Sequence, residues 1–233
     1  MKKGGLFWSI RPEMIFGNIH FFMQNENMAP PFLPFSSTET VPQIMQKAEA
    51  RKLFSNKRKE LTSKEVNVYQ DLLLIRLQEL DLPYCNILHT YLPIYDRNEP
   101  DPMPMVDWLR FRDPGMKVAY PKIQLSDLSM THYVTDEHSV FALNEFGIAE
   151  PDSGMEVDAA DIDMVIIPLL CFDHSGNRVG YGKGFYDRFL SKCRTEVLKI
   201  GLSFFPPIES IEDVNFFDKK LDLCITPERV YAF

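Results

Sequence analysis

Apolar and polar residues follow helical spacing in the first regular part of the chain. Positions 44, 45, 48 and 53 are apolar and lie close to one helix face, so a helix is predicted from about residue 43. Residues 62–65, Thr-Ser-Lys-Glu, form a capping-box pattern, in which the threonine and the glutamate cap each other's backbone. This pattern predicts the start of a second helix, which ends before Pro83.

After residue 85 the apolar residues occur in short runs that are typical of strands. The run at 163–168, Asp-Met-Val-Ile-Ile-Pro, lacks polar residues in its interior, which predicts a buried strand. Further strands are predicted at 86–92 and 117–120, each closed by a proline, and at 128–133, 140–143, 197–203 and 222–226, with helices at 103–111 and 185–193. This alternation predicts an α/β fold: a three-layer, Rossmann-like open sheet, mostly parallel, with helices on both faces.

Residues 1–42 differ from the rest of the chain because they contain many prolines, serines and threonines and show no sustained period. They are predicted to form an irregular extension, and residues 43–233 to form one α/β domain. The formal net charge of −8 argues against a general nucleic-acid-binding protein, although it allows a local site for a small anion. No run approaches the ~18 apolar residues of a membrane span.

The four cysteines lie far apart and form no CxxC pair, which disfavours both a disulfide framework and a structural zinc site. A reducing, cytoplasmic location is therefore predicted. The five histidines show no metal-binding spacing, and His89 is interpreted as a structural residue within a strand.

One segment, residues 176–188 with the sequence GNRVGYGKGFYDR, concentrates the residues that bind phosphate. Alternating glycines allow backbone N–H groups to converge on an anion, and the helix predicted after them adds partial positive charge. Asp187 would suit Mg²⁺ beside a polyphosphate. The segment follows the predicted buried strand, which is where ligands bind in open α/β sheets. The glycines are Gly180, Gly182 and Gly184, and the cations are Arg178, Lys183 and Arg188.

The common glycine motifs do not explain this segment. No Ser or Thr follows the lysine as in a P-loop, and the position does not fit the dinucleotide-binding fingerprint. For the glycine spacing alone, a flexible turn with solvated charges is the favoured interpretation. The cations, the carboxylate and the preceding strand favour a phosphate-binding site instead.

The longer segment from Pro168 to Leu190 resembles the signature of the 5-formyltetrahydrofolate cyclo-ligase family, also called methenyltetrahydrofolate synthetases. It departs from the family pattern at Val179, where the family has Leu, and at Phe185, where it has Tyr. The resemblance extends over roughly residues 43–230. Within the signature the matching residues are Pro168, Phe172, Asp173, Gly176, Arg178, Gly180, Gly182, Gly184, Tyr186, Asp187 and Leu190.

The resemblance implies a site for ATP, Mg²⁺ and a reduced folate. Its implied catalytic residues are Lys183, Arg178 and Arg51, and its implied metal ligands are Asp187 and Asp218. The implied ATP-binding residues are Lys47, Arg51, Arg178, Gly180, Gly182, Lys183, Gly184 and Tyr186. The implied substrate-binding residues are Leu92, Glu99, Tyr181, Gly182, Lys183, Gly184 and Phe185. Asp96 competes with Glu99 for the loop carboxylate that contacts the folate.

Apart from the resemblance, several of these residues have simpler interpretations. Lys47 and Arg51 fit solvated charges on a helix, and Asp218 fits a turn former. Tyr186 fits a core aromatic residue, and Glu99 a plain loop charge. Asp173 fits a residue that braces the glycine segment through hydrogen bonds.

The activity implied by the resemblance is the ATP- and Mg²⁺-dependent conversion of 5-formyltetrahydrofolate to 5,10-methenyltetrahydrofolate, with release of ADP and phosphate. The expected partner is this small molecule, with or without a polyglutamate tail, and neither nucleic acid nor membrane; the chain is expected to be a monomer. Two alternatives stay open: a non-catalytic nucleotide- or folate-binding protein, and another ATP-dependent ligase or kinase on the same scaffold.

Overall fold

The structure, a computed structural model, describes residues 44–144 and 147–233. The predicted irregular extension, residues 1–42, lies outside the described residues. The described helices are α1 (Lys47–Glu60), α2 (Ser63–Gln78), α3 (Met103–Arg112) and α4 (Phe185–Leu190). The described strands are β1 (Ile44–Met45), β2 (Ile87–His89), β3 (Lys117–Gln124), β4 (Ser129–Thr135), β5 (Phe141–Leu143), β6 (Ala149–Pro151), β7 (Met155–Val157), β8 (Met164–Pro168), β9 (Cys171–Phe172), β10 (Arg178–Val179), β11 (Leu198–Leu202), β12 (Ser210–Ile211), β13 (Leu223–Ile225) and β14 (Val230–Ala232).

The first two predicted helices are confirmed, with one correction at the start. The helix predicted from about residue 43 begins at Lys47, because Ile44 and Met45 form β1 and pair with β12. The capping box is present: the Thr62 N–H donates to the Glu65 carboxylate over 2.8 Å, and the Thr62 hydroxyl accepts from the Glu65 N–H. These bonds satisfy backbone donors at the start of α2.

An eight-stranded sheet runs through the centre, in the order β14-β13-β11-β8-β2-β3-β4-β7. The five strands β13, β11, β8, β2 and β3 are parallel, whereas β14, β4 and β7 are antiparallel to their neighbours. The predicted α/β class is therefore confirmed. Its mostly parallel character holds for the centre of the sheet, and both edges are antiparallel.

Strand β8 shows how the sheet separates two apolar layers. Ile166 faces the larger layer, in which the helices α1, α2 and α3 bury residues such as Phe54, Leu73 and Leu109. Its neighbours along the strand face the opposite way, toward a smaller layer that contains Phe189 of α4. Alternate residues of a strand point to opposite faces, so a strand buried on both faces must be apolar throughout. Helices cover both faces, as predicted.

Pro121 does not close a strand, contrary to the prediction at 117–120. Strand β3 continues to Gln124, because it pairs with β4 along its whole length and with β2 only at Lys117–Ala119. The N–H that Pro121 lacks would point toward β2, beyond the last bond on that side, from Thr90 N–H to the Ala119 carbonyl. Pro121 therefore ends the pairing of β3 with β2 and leaves its pairing with β4 intact.

Two predicted elements are shorter than expected. The strand predicted at 86–92 spans Ile87–His89, and the helix predicted at 185–193 ends at Leu190. Within the described residues, no helix combines the length and the apolar character that crossing a membrane requires.

Candidate active site

A small hairpin connects β8 to Gly180, Gly182 and Gly184, and its second strand, β10, is already part of the glycine segment, residues 176–188. Strands β9 and β10 pair antiparallel, and the side chain of Asp173 lies at their turn. This buried carboxylate accepts hydrogen bonds from the Ser175 and Asn177 N–H groups at 2.9 and 3.0 Å, and from the Asn177 side chain at 2.8 Å. The interpretation of Asp173 as a brace is confirmed.

The glycines after this hairpin adopt backbone conformations that side chains disfavour. Gly182 has φ +89° and Gly184 has φ +71°, both in the left-handed region. A Cβ atom at Gly182 would lie 3.1 Å from the Arg51 guanidinium. Arg51 also donates its Nε–H to the Gly180 carbonyl over 3.0 Å, so α1 holds the glycine segment from one side.

Two cation–carboxylate pairs lie beside the glycines. Arg178 Nη2 donates to Asp187 Oδ1 over 2.8 Å, and Lys47 donates its Nζ proton to Asp218 Oδ2. Backbone N–H groups of residues 219 and 215 bind the same two oxygens. Among the described residues, nothing donates a hydrogen bond to the second oxygen of either carboxylate.

Two buried donors in this region lack a hydrogen-bond partner among the described residues. They are Arg178 Nη1 and the Tyr186 hydroxyl. Burial lowers the pKa of Arg178 from its usual value, an effect that Asp187 opposes. Burial also raises the pKa of Tyr186, as does the nearby Glu99, so its hydroxyl stays protonated. Buried polar groups are nearly always satisfied, so two orphan donors are consistent with a ligand that accepts hydrogen bonds.

Two cavities share the residues described above. The first, here called the apolar cavity, has a volume of about 410 Å³ and lies at the carboxyl ends of β2 and β8. The second, here called the charged cavity, has a volume of about 610 Å³. Apolar side chains line much of the first: Leu92, Ile94, Ile123, Leu125, Leu128, Met130, Ile148 and Phe185. Residues specific to the second are Arg188, Ser191, Asp213, Asn215, Phe216, Phe217 and Lys219. The shared cluster, which lines both, is Lys47, Arg51, Gly182, Gly184, Asp187 and Asp218.

Glu99, and not Asp96, reaches the apolar cavity. Glu99 is 5 % exposed, its Oε1 accepts a hydrogen bond from the Tyr181 hydroxyl, and its Oε2 accepts one from the Ile94 N–H over 2.8 Å. Asp96 is exposed on a short 3₁₀ turn, Tyr95–Arg97, and does not line the cavity.

The structure brings the remaining predicted site residues together. Their roles toward ligands stay predictions, but all of them line the apolar cavity: Lys47, Arg51, Leu92, Glu99, Arg178, Gly180, Tyr181, Gly182, Lys183, Gly184, Phe185, Tyr186, Asp187 and Asp218. Within the described part of the chain, no three His, Cys, Asp or Glu side chains form a cluster that could hold a metal by themselves.

Sequence reasoning missed Arg58, which contacts Tyr181 of the glycine segment. A signal was present, because Lys47, Arg51 and Arg58 are spaced by four and seven residues, which places them along one helix face. It also missed Phe216 and Phe217, since two adjacent phenylalanines in a loop carry no pattern.

His89 lies behind the site as a buried residue, as predicted. Its Nε2 is 3.1 Å from Nδ1 of His132, and both rings pack against Phe189 of α4. Burial lowers the pKa of both, that of His89 well below its usual value and that of His132 to about 4, where Lys192 contributes. The pair is therefore neutral and structural.

The sequence model of the 5-formyltetrahydrofolate cyclo-ligase family matches residues 43–227. A Schizosaccharomyces pombe protein named "Probable 5-formyltetrahydrofolate cyclo-ligase" is 30 % identical over 130 residues, 50 % of this chain and 64 % of the relative. A Mycoplasma genitalium protein named 5-formyltetrahydrofolate cyclo-ligase is 44 % identical over 71 residues, 30 % of this chain and 42 % of the relative. The chain thus aligns with less than two thirds of these curated relatives.

A solved structure gives a longer match. The 5,10-methenyltetrahydrofolate synthetase of Aquifex aeolicus superimposes with a TM-score of 0.68 and 26 % identity, covering 80 % of this chain and 92 % of that one. The fold, the glycine segment and the sequence match agree, and the chain belongs to the 5-formyltetrahydrofolate cyclo-ligase family.

Proposed function

We propose that this protein converts 5-formyltetrahydrofolate to 5,10-methenyltetrahydrofolate, with ATP as co-substrate and with release of ADP and phosphate. One observation carries the proposal: a single cluster of cations, glycines and carboxylates lines both an apolar and a charged cavity. Such a cluster suits the transfer of a phosphoryl group between two ligands, one in each cavity.

The charged cavity suits the nucleotide. Lys47 and Arg51 line it and supply positive charge around glycines whose backbone can approach phosphate oxygens closely. Lys183, between those glycines, lines the adjoining apolar cavity. Arg178, on the adjoining wall of the apolar cavity, adds a buried N–H that has no hydrogen-bond partner in the described part of the chain. Gly182 and Gly184 carry no side chain that would hold the phosphates away.

The apolar cavity suits the reduced folate. Its volume of about 410 Å³ is typical of small-molecule sites, and apolar side chains surround a few polar groups. The Glu99 carboxylate is an acceptor on the cavity wall, which fits the N–H donors of a pteridine ring. The Tyr186 hydroxyl is a donor without a partner among the described residues, which fits an oxygen of the substrate.

The reaction needs an activated leaving group and not a protein nucleophile. The formyl oxygen attacks the γ-phosphorus, an O–P bond forms, and the bond to the ADP oxygen breaks. The N10 lone pair then attacks the formyl carbon, N10 loses its proton, and the C–O bond breaks as phosphate leaves. The shared cluster contains no serine, cysteine or histidine, in agreement with chemistry that depends on positioning and charge neutralisation.

The residues present fit a magnesium ion that also binds phosphate oxygens. Asp187 and Asp218 each keep one oxygen without a hydrogen bond from the described residues, and Mg²⁺ sites commonly combine one or two carboxylates with substrate phosphates. When bound, the ion would neutralise charge that develops on the transferring phosphoryl group. We therefore assign both aspartates to Mg²⁺.

A direct assay tests this function. Purified protein with 5-formyltetrahydrofolate, ATP and Mg²⁺ should produce the near-ultraviolet absorbance of methenyltetrahydrofolate, together with ADP. ADP release without folate would indicate another ATP-dependent enzyme. Ligand-induced thermal stabilisation without ADP would indicate a binding protein. Folded protein that shows no turnover contradicts the proposal.

We further propose that the protein acts as a cytoplasmic monomer on folates with or without a polyglutamate tail, independently of nucleic acid and membranes. The four cysteines are free thiols, which fits a reducing compartment. Light scattering after gel filtration tests the monomer, and comparison of mono- and polyglutamylated substrates tests the tail.

A further inference from the structure

Arg58 is a buried cation near the end of α1, and within residues 44–144 and 147–233 no carboxylate contacts it directly. It is 3 % exposed, and no carboxylate of the described residues forms a salt bridge with it. Its Nη2 instead donates to the hydroxyl of Tyr181 over 2.6 Å. A buried charge is costly unless it is compensated. The Arg58 Nε–H has no partner among the described residues, so the contact with the Tyr181 hydroxyl is the hydrogen bond that the guanidinium makes there.

In the chain of hydrogen bonds from Arg58 through Tyr181 to Glu99, the donor and the acceptor of each bond are fixed. A guanidinium can only donate, so the Tyr181 oxygen accepts from Arg58 and its own proton goes to Glu99 Oε1. Burial and the charge of Glu99 raise the pKa of Tyr181 to about 12, so it remains a donor at neutral pH. Arg58, Tyr181 and Glu99 thus form an ion pair relayed by a hydroxyl, here called the relay.

The relay joins three separate segments of the chain. Tyr181 lies between Gly180 and Gly182, whose backbone has little stiffness of its own. The Ile94 N–H holds the second oxygen of Glu99. The side chain of Asn98 donates to the Arg58 carbonyl over 2.7 Å, so the same turn of α1 also holds the backbone of the loop that carries Glu99.

The ring of Tyr181 is held as well as its hydroxyl. The Arg58 and Arg97 guanidinium carbons lie 5.8 and 5.2 Å from the ring centroid, within the range of cation–π contacts. Tyr181 and Glu99 line the apolar cavity, but Arg58 lines neither cavity. Arg58 therefore acts on a ligand only through the other two residues.

We propose that Arg58 is a positioning residue for folate binding: through Tyr181, it holds the Glu99 carboxylate in the orientation that accepts N–H donors of the folate. This inference rests on the proposed function of the apolar cavity. Substitution of Arg58 should therefore change the affinity for folate and have little effect on the affinity for the nucleotide.

The test measures the affinities of 5-formyltetrahydrofolate and of ATP separately, by calorimetric titration of the full chain. Arg58→Met should weaken folate binding by about 10-fold, in line with the loss of one charge-assisted hydrogen bond, and change ATP binding less than about twofold. Tyr181→Phe, which keeps the ring, should weaken folate binding similarly. In the double variant the two effects should not multiply, because both substitutions break the same relay.

A matched control is available on α2. Arg76 is also poorly exposed, but it pairs with Glu79 and lines neither cavity. Arg76→Met should leave both affinities unchanged. Equal losses of folate and ATP affinity in Arg58→Met, or fully multiplicative effects with Tyr181→Phe, would overturn the inference.

Hydrogen exchange separates failure of the relay from failure of the proposed function. Arg58→Met should speed amide exchange in residues 94–99 and 180–184 of the ligand-free protein, and Arg76→Met should not. If exchange responds in this way but the wild type neither binds nor converts folate, then the proposed function is wrong and the relay stands. Unchanged exchange in both segments would refute the relay itself.

Discussion

The two cavities differ in how the chain builds them. The charged cavity takes its proposed phosphate-binding groups from one turn of α1 and one glycine segment, together with Asp218 from a distant loop. The apolar cavity draws its wall from β3, β4 and several loops that are distant in sequence. Phosphate recognition depends on charge and backbone shape, which a short segment can supply, whereas a pteridine-sized pocket requires many surfaces to converge.

This difference predicts that a substitution in one cavity will mainly affect one of the two proposed substrates. Damage to the charged side should appear in phosphoryl transfer and in ATP affinity. Damage to the apolar side should appear in folate affinity. The predictions below run from the largest expected difference to the smallest.

Lys183→Ala should have the largest effect. Loss of a cation that stabilises the transferring phosphoryl group should lower kcat by about 100-fold or more. Steady-state kinetics at saturating concentrations of both substrates checks this. Lys59, exposed on α1 and remote from both cavities, provides the control Lys59→Ala, which should keep the wild-type rate. A near-wild-type rate for Lys183→Ala would mean that the glycine segment is misassigned.

Lys47→Met should raise the KM for ATP by about 10- to 30-fold, because one charge-assisted contact to phosphate is lost. The same change removes the cation from Asp218, so Mn²⁺ should bind more tightly in the absence of nucleotide. Electron paramagnetic resonance titration with Mn²⁺ measures this second effect without turnover. The neighbouring exposed Lys52 gives the control Lys52→Met, for which we expect neither change.

Leu125→Ala should weaken folate binding by about fivefold, the effect of removing part of an apolar side chain from contact with the ligand. ATP affinity should stay the same. Calorimetric titration with each ligand checks the selectivity. Leu143, 74 % exposed on β5 and outside both cavities, is the matched control as Leu143→Ala. An equal loss for both ligands would contradict the division between the cavities.

Acidification should lower the free energy of unfolding of the domain as a whole and should not act on one cavity more than on the other. The pKa values of His89 and His132 are lowered by folding, so their contribution to stability is complete above about pH 6.5 and is lost as the pH falls toward about 4. Urea unfolding across this range should show a declining free energy of unfolding. His132→Leu should flatten the decline, and a change at the exposed His174, His174→Asn, should leave it intact. A decline that is the same in His132→Leu would assign the effect to other groups.

The sequence predicts locally determined elements better than contacts between distant segments, and the reason is physical. The glycine segment and the capped helix α2 were predictable because neighbouring residues determine their conformations. The relay was not, because Arg58, Tyr181 and Glu99 meet only after three segments pack. The extension of β3 through Pro121 likewise depends on which side of the strand has a partner, and the β1–β12 pair joins residues far apart in sequence.

The shared cluster also has a consequence for inhibitor design. Since Lys47, Arg51 and the two aspartates line both cavities, one molecule that links a reduced pteridine to a polyphosphate could occupy both at once. Its second half would bind at the high effective concentration set by the linker, and avidity would exceed that of either fragment. The linker length that gives the tightest binding would then measure the distance over which the phosphoryl group moves in the proposed reaction.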